Sequence, residues 1–190
     1  YQSIYDFRDF YNTPMGGVVR SVLRRKIRSC WPHVKGLRVV GIGCPQPYLD
    51  MFLPEAERCI AINPAAQGSF PWPEQGANLS VLAEEAELPI ETNSVDRVLL
   101  IHSLEYGELP HSNLKEIYRI LKPGGSAYIG CGFGAGYAHI DRDRESRKGK
   151  PPKKFTHDEI LEALEGAGIE DFTVIDDNLR GYWVIIRKHR

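Results

Sequence analysis

The chain lacks most features that would assign it at a glance. It has only four cysteines in 190 residues, Cys30, Cys44, Cys59 and Cys131. None forms a CxxC pair and none has a histidine at metal-finger spacing, which argues against a zinc site or any other metal centre. We expect free thiols in a reducing cytoplasm, with Cys59 and Cys131 acting as small hydrophobes in strands. An excess of either charge is missing too. Lys and Arg number 24 against 25 Asp and Glu, for a formal net charge of -1. Nothing global therefore draws the chain to nucleic acid or to a membrane surface. No apolar run is long enough to span a bilayer, and no internal repeat is evident. What remains is ordinary for a globular protein: 42% hydrophobic and 26% charged residues. The length suits one domain with a full core.

Residues 1–13 are aromatic and polar, with Tyr1, Tyr5, Phe7, Phe10 and Tyr11. Thr13-Pro14 predicts a helix start, a capping hydroxyl followed by proline at the first helical position. That helix should run to about Ser29, with Val18, Val19, Val22, Leu23 and Ile27 as its apolar stripe. Arg20, Arg24, Arg25 and Arg28 lie largely off the stripe, either as a solvated face or as a contact surface for an anionic partner. We expect 1–35 to be an N-terminal helical segment packed on the core, and 36–190 to be a single domain.

After Gly36 the pattern alternates between strands and helices. Strands are predicted at Leu37–Ile42, Cys59–Ile62, Leu79–Leu82, Val95–His102 and Ser126–Cys131. Val95–His102 is apolar enough to be covered on both faces. His111–Lys122 reads as an amphipathic helix stopped by Pro123-Gly124-Gly125. Thr156 with Glu159 forms a capping box for a helix that ends at Gly166-Ala167-Gly168. Strands near Asp171–Ile175 and Tyr182–Arg187 follow, with Arg180-Gly181 between them as a hairpin signal. The stretch Pro64–Gly76 holds too many prolines and glycines for a helix. It reads as a loop whose Phe70 and Trp72 pack over the sheet or a ligand. Alternation of this kind implies a mostly parallel sheet with helices on both faces, with ligand beyond the strands' carboxyl ends.

The turn after the first strand, Gly41-Ile42-Gly43-Cys44-Pro45-Gln46-Pro47, has the outline of a glycine-rich cofactor turn. Gly43 is in place. Pro45 and Pro47 stand at positions for small flexible residues, and Gly41 at a strand position that is usually acidic. Proline removes an N–H donor and fixes φ.

Three further stretches complete the pattern. They are Glu87-Leu88-Pro89-Ile90 through Asn93-Ser94-Val95-Asp96, then His102-Ser103-Leu104-Glu105-Tyr106, then Leu121-Lys122-Pro123-Gly124-Gly125. In this order, over roughly 36–131, they resemble the class I S-adenosylmethionine-dependent methyltransferases of the small-molecule type. The resemblance implies a Rossmann-like three-layer α/β/α sandwich. Its seven-stranded, mostly parallel sheet would have the order 3-2-1-4-5-7-6 and a C-terminal antiparallel hairpin. It also implies S-adenosylmethionine as cofactor and a small molecule as methyl acceptor.

The resemblance assigns roles. Gly41, Gly43 and Cys44 would pass beneath the methionine part of the cofactor. Asn63 stands where an acid would take the ribose hydroxyls, and Asn63→Asp should tighten binding if that side chain faces the ribose. Glu84 and Glu85, with Glu87 nearby, would meet the adenine edge, Glu84 aligning best. His102, Glu105 and Tyr106 would face the transferred methyl group, with His102 the first candidate base where the acceptor must lose a proton. Tyr137 and His139 could cover the substrate. The Asn-Pro-Pro-aromatic signature of amino-directed nucleic-acid methyltransferases is absent. Asp141–Lys154 carries seven basic residues against three acidic, either a solvated loop or a means of steering an anionic acceptor. The competing reading is a methyltransferase fold without turnover, serving as a binding or regulatory module.

Overall fold

The computed structural model describes residues 2–104, 110–130, 155–176 and 181–189. Two helices open the chain, α1 (Ile4–Tyr11) and α2 (Pro14–Cys30). The alternating part follows as β1 (Arg38–Gly43), α3 (Gln46–Leu49), β2 (Arg58–Pro64), β3 (Ser80–Ala83), β4 (Val95–Ile101), α4 (Pro110–Ile120), β5 (Leu121–Gly130), α5 (His157–Gly166), β6 (Phe172–Asp176) and β7 (Tyr182–Arg187). The strands form one seven-stranded sheet in the order β3-β2-β1-β4-β5-β7-β6. The first five strands pair in parallel. β7 runs antiparallel to both β5 and β6. This is the order that the resemblance implies, and the antiparallel hairpin that the strand pattern predicts.

β4 lies near the middle of the sheet, and Val98, Leu99 and Leu100 have no exposed surface. Both faces of the strand are therefore covered, as its unbroken apolar run requires. One face packs Val98, Leu100 and Ile129 against Leu114 and Ile117 of α4 and Ile160 and Leu164 of α5. The other packs Leu99 and Tyr128 against Ile4, Ile27, Trp31 and Phe52. The sheet is thus the middle of three layers.

Two local readings are corrected. Residues 4–11, read only as aromatic and polar, form a helix, with Ser3 accepting from the Tyr5 N–H at its start. Its buried stripe is Ile4, Phe7 and Tyr11, an i, i+3, i+7 spacing in which tyrosine serves as the third apolar residue. In α2 the buried line is rotated from the expected one. Ile27 is buried, whereas Val18 and Val22 are 61% and 42% exposed. The arginines explain the rotation. Arg28 donates to Met51 O and Glu55, and Arg24 reaches Pro47 O, so the basic edge faces the segment after β1.

The Leu88-Pro89-Ile90 step is held by α4. Glu116 accepts from the Leu88 N–H at 2.9 Å, and Arg119 donates to Leu88 O and Ile90 O while pairing with Glu116. This arrangement fixes the chain between β3 and β4. The Arg119 hydrogen bonds hold the Glu116 carboxyl below its ordinary value of 4.5. A lowered folded value means that the stabilisation is whole above about pH 4.5 and is lost as pH falls through the folded value. Glu116→Gln should cost about 1–2 kcal/mol at neutral pH and remove part of the acid limb, as read by urea melts from pH 3 to 7.

Candidate functional site

The carboxyl ends of β1, β2 and β4 meet at one edge of the sheet, where the cofactor turn is predicted. Gly43 ends β1 with φ +93°, and a Cβ there would lie 2.1 Å from Ile101 O and 2.9 Å from the Ser103 Cβ. Only glycine allows this approach of β1 to β4. Gly41 has a different reason. A Cβ at that position would stand 2.3 Å from the Pro45 Cβ and 2.8 Å from the Leu49 Cδ1. The strand position that is usually acidic is thus filled by the proline ring and leucine of the following turn. The Cys44 N–H donates to Ile101 O at 2.9 Å, and Pro45 and Pro47 have none to give. The Cys44 thiol is fully buried, and burial pushes it up to about 12, so it stays protonated.

Asn63 sits at the end of β2 with no exposed surface. Its Nδ2 donates to Gly43 O at 2.6 Å. Its Oδ1 accepts from Gln46 Nε2 at 3.0 Å and from Ser69 Oγ at 2.8 Å. Both acceptor positions of the carboxamide oxygen are therefore occupied from within the chain. Glu84, after β3, is exposed, and Glu85 beside it is 6% exposed.

His102 follows β4 with φ +57°, a left-handed conformation that a side chain of this kind adopts uncommonly. Its ring stacks on Phe7 with centroids 4.4 Å apart. Its Nε2 lies 2.6 Å from the Tyr11 hydroxyl, which also receives the Tyr48 hydroxyl proton. Burial, first, and the neighbouring Tyr11 push the Tyr48 phenol far up, so it remains a donor. Gln67 completes the group, donating to His102 O at 3.0 Å while its own carbonyl receives the Ile4 N–H. Helix α1 thus runs across the ends of β2 and β4, with Phe7 and Tyr11 against the candidate base.

The structure brings Gly41, Gly43, Cys44, Asn63 and His102 together. Glu105, Tyr106, Tyr137, His139, Cys131 and the basic stretch 141–154 lie outside the described residues. Trp72 is buried with its indole N–H on Asp50 at 2.7 Å, so the proline-rich loop closes over the end of α3. Four residues of this site were not anticipated from sequence: Tyr11, Gln46, Tyr48 and Gln67. The helical spacing of Ile4, Phe7 and Tyr11 was the available signal for the first. Among the described residues, no group of His, Cys, Asp and Glu could hold a metal ion, and no helix is long and apolar enough to cross a membrane.

Sheet order, the antiparallel hairpin and the glycine turn together define the class I methyltransferase fold. Residues 40–129 match the family model described as a methyltransferase domain. Solved structures agree over nearly the whole chain. A Methanococcus maripaludis protein assigned as an S-adenosyl-L-methionine-dependent methyltransferase is 18% identical, with a TM-score of 0.69, covering 98% of this chain and 92% of that one. The methyltransferase assigned in a complex with the Haloferax volcanii Trm112 methyltransferase activator is 21% identical, with a TM-score of 0.65 and 93% of each chain covered. A SAM-dependent methyltransferase from Archaeoglobus fulgidus is 19% identical, with a TM-score of 0.63, covering 89% of this chain and 94% of that one. No curated protein matches the sequence. Residues 40–129 thus carry a methyltransferase domain, and the fold is that of the class I S-adenosylmethionine-dependent methyltransferases, whose cofactor is S-adenosylmethionine.

The site fits that cofactor in its frame and in its unmet polar groups. Of the eight buried side-chain polar atoms without a hydrogen-bond partner among the described residues, three, Gln46 Oε1, Gln67 Oε1 and Ser103 Oγ, lie at this edge. All three surround Gly43, Asn63 and His102. Two are carboxamide oxygens that can only accept, and the cofactor's hydroxyl and amino groups are donors.

Two substitutions test this geometry. Asn63→Asp places a carboxylate oxygen against Gly43 O where Nδ2 now donates. It should destabilise the fold by about 1–3 kcal/mol and leave S-adenosylmethionine binding no tighter, as read by denaturant melts beside calorimetry. Tyr11→Phe removes the acceptor of Tyr48 and the partner of His102. A loss of about 1–3 kcal/mol, with faster hydrogen exchange of the α1 amides, is the expected outcome.

Proposed function

We propose that the chain is an S-adenosylmethionine-dependent methyltransferase acting on a small molecule, with the cofactor entering at the carboxyl edge when α1 yields. The observation that carries this reading is the set of three buried, unpartnered polar atoms beside Gly43, Asn63 and His102. Such atoms each cost about 1–3 kcal/mol in a closed protein, and a cofactor with matching donors removes that cost. Gly43 supplies the close backbone approach, and the exposed Glu84, with Glu85 beside it, stands where the adenine edge would be met. When bound, the cofactor supplies an electrophilic methyl group on sulfur.

The chain's own residues orient the acceptor and take its proton. His102 ends β4 at the mouth, and its Nε2 is the atom for that proton. In the described conformation the Tyr11 hydroxyl occupies Nε2, so displacement of α1 would both open the mouth and release the base. Glu105 and Tyr106 follow His102 in sequence and are assigned to the acceptor side. The basic stretch 141–154 favours an anionic acceptor by long-range attraction.

A second reading rests on the same closed contacts. Asn63 is saturated from within and the turn is poor in N–H donors, as a binding module without turnover would allow. Calorimetry with S-adenosylmethionine and S-adenosylhomocysteine, beside a methyl-transfer panel rich in anionic acceptors, separates the two. The enzyme reading expects binding of both compounds and transfer to at least one acceptor. For an acceptor that loses a proton, His102→Ala should then lower turnover about a hundredfold or more. Neutralising Arg142, Arg144, Arg147 and Lys148 together should raise KM for an anionic acceptor and flatten its salt dependence. Binding without transfer across the panel supports the module, and absence of binding removes the enzyme reading.

A further inference from the structure

We propose that Gln46, not Asn63, is the residue of this chain that accepts the cofactor's ribose hydroxyls. The inference rests on the proposed function, since it concerns the cofactor of that same site. Three observations carry it. First, the position at the end of β2 cannot serve as it stands. Asn63 Oδ1 already accepts from Gln46 and Ser69, and Nδ2 is bound to Gly43 O. Second, the hydrogen bond from Gln46 Nε2 to Asn63 Oδ1 sets the Gln46 carboxamide directly beside that position. It also fixes which end of the amide is free, because the nitrogen faces Asn63 and the oxygen does not. Third, Gln46 is 2% exposed and its Oε1 is buried without a partner among the described residues. An acceptor-only oxygen of this kind needs a donor.

The chemistry matches the departure in sequence. Vicinal hydroxyls supply the donor that Gln46 Oε1 lacks. Pro45 and Pro47 flank Gln46 and hold it at the start of α3, so little side-chain freedom is needed to keep the amide in place. Asn63 becomes a positioning residue, whose amide orients that of Gln46. The contact is uncharged, so one bond governs a modest share of affinity.

The test uses the full chain, with S-adenosylhomocysteine and its 2′-deoxy and 3′-deoxy counterparts as probes. Wild type should bind at least one deoxy compound more weakly than S-adenosylhomocysteine, by about threefold to tenfold, the range of one neutral hydrogen bond. Gln46→Met keeps the length of the side chain and removes the acceptor. It should weaken S-adenosylhomocysteine by a similar factor and bind that deoxy compound as wild type does, erasing the discrimination. Equal weakening of all three ligands, or discrimination that survives in Gln46→Met, overturns the assignment while leaving the methyltransferase reading intact. Failure of wild type to bind S-adenosylhomocysteine at all overturns both. Where Gln46→Met does not fold, the Gln46 side-chain amide resonances of wild type decide. They should shift with S-adenosylhomocysteine and less with the deoxy compound that binds more weakly, and equal shifts overturn the assignment.

Discussion

The carboxamide of Asn63 holds the functional edge of this molecule together. It has no exposed surface and makes three hydrogen bonds. One of them fastens the carbonyl of Gly43, the last residue of β1. Another orients Gln46 at the first turn of α3, and the third anchors Ser69 in the loop after β2. A buried amide bonded through both its nitrogen and its oxygen rigidifies its surroundings, and losing one of those bonds is costly. An aspartate here could not perform the same task, because the atom facing Gly43 O must be a donor. The replacement of the family's acid by asparagine is therefore coupled to the rest of the turn.

The aromatic helix α1 builds on that frame. Its backbone meets Gln67 and its side chains meet His102 and Tyr48. Its buried stripe of Ile4, Phe7 and Tyr11 fastens it there. Its contacts fall on His102 and on Gln67, a candidate base and one of the orphaned acceptors.

Much of the frame was legible in the sequence because it depends on local chemistry. Periodic apolar runs, the Thr156 capping box, the Pro-Gly-Gly step and the hairpin signal each act over a few residues and predict the elements, while the sheet order is what the resemblance implies. The site was less legible because its determinants are long-range. Gln46 and Asn63 are 17 residues apart, and Tyr11 and His102 are 91 apart. No spacing rule links such pairs. Gly41 shows the same limit in another form. The sequence shows only a glycine where an acid is usual, whereas the structure shows Pro45 and Leu49 filling the space a side chain there would need. The rotated stripe of α2 also came from partners beyond the helix, since Arg24 and Arg28 reach carbonyls near α3.

The two prolines and the two amides of the turn form a single substitution in physical terms. A glycine-rich turn recognises its ligand through backbone N–H groups and through the space that missing side chains leave. Here Pro45 and Pro47 remove two donors, and the Cys44 N–H is given to Ile101 O. Recognition by the main chain is reduced, so the polar work at this edge falls to side chains. Those beside Gly43 and His102 are neutral: Gln46, Asn63, Gln67 and Ser103. Neutral hydrogen bonds are individually weaker than charged ones, but a buried carboxamide carries no desolvated charge that must be compensated when the mouth is closed. An edge lined by such groups can be covered by the apolar stripe of α1 at modest cost, whereas one lined by a bare carboxylate could not.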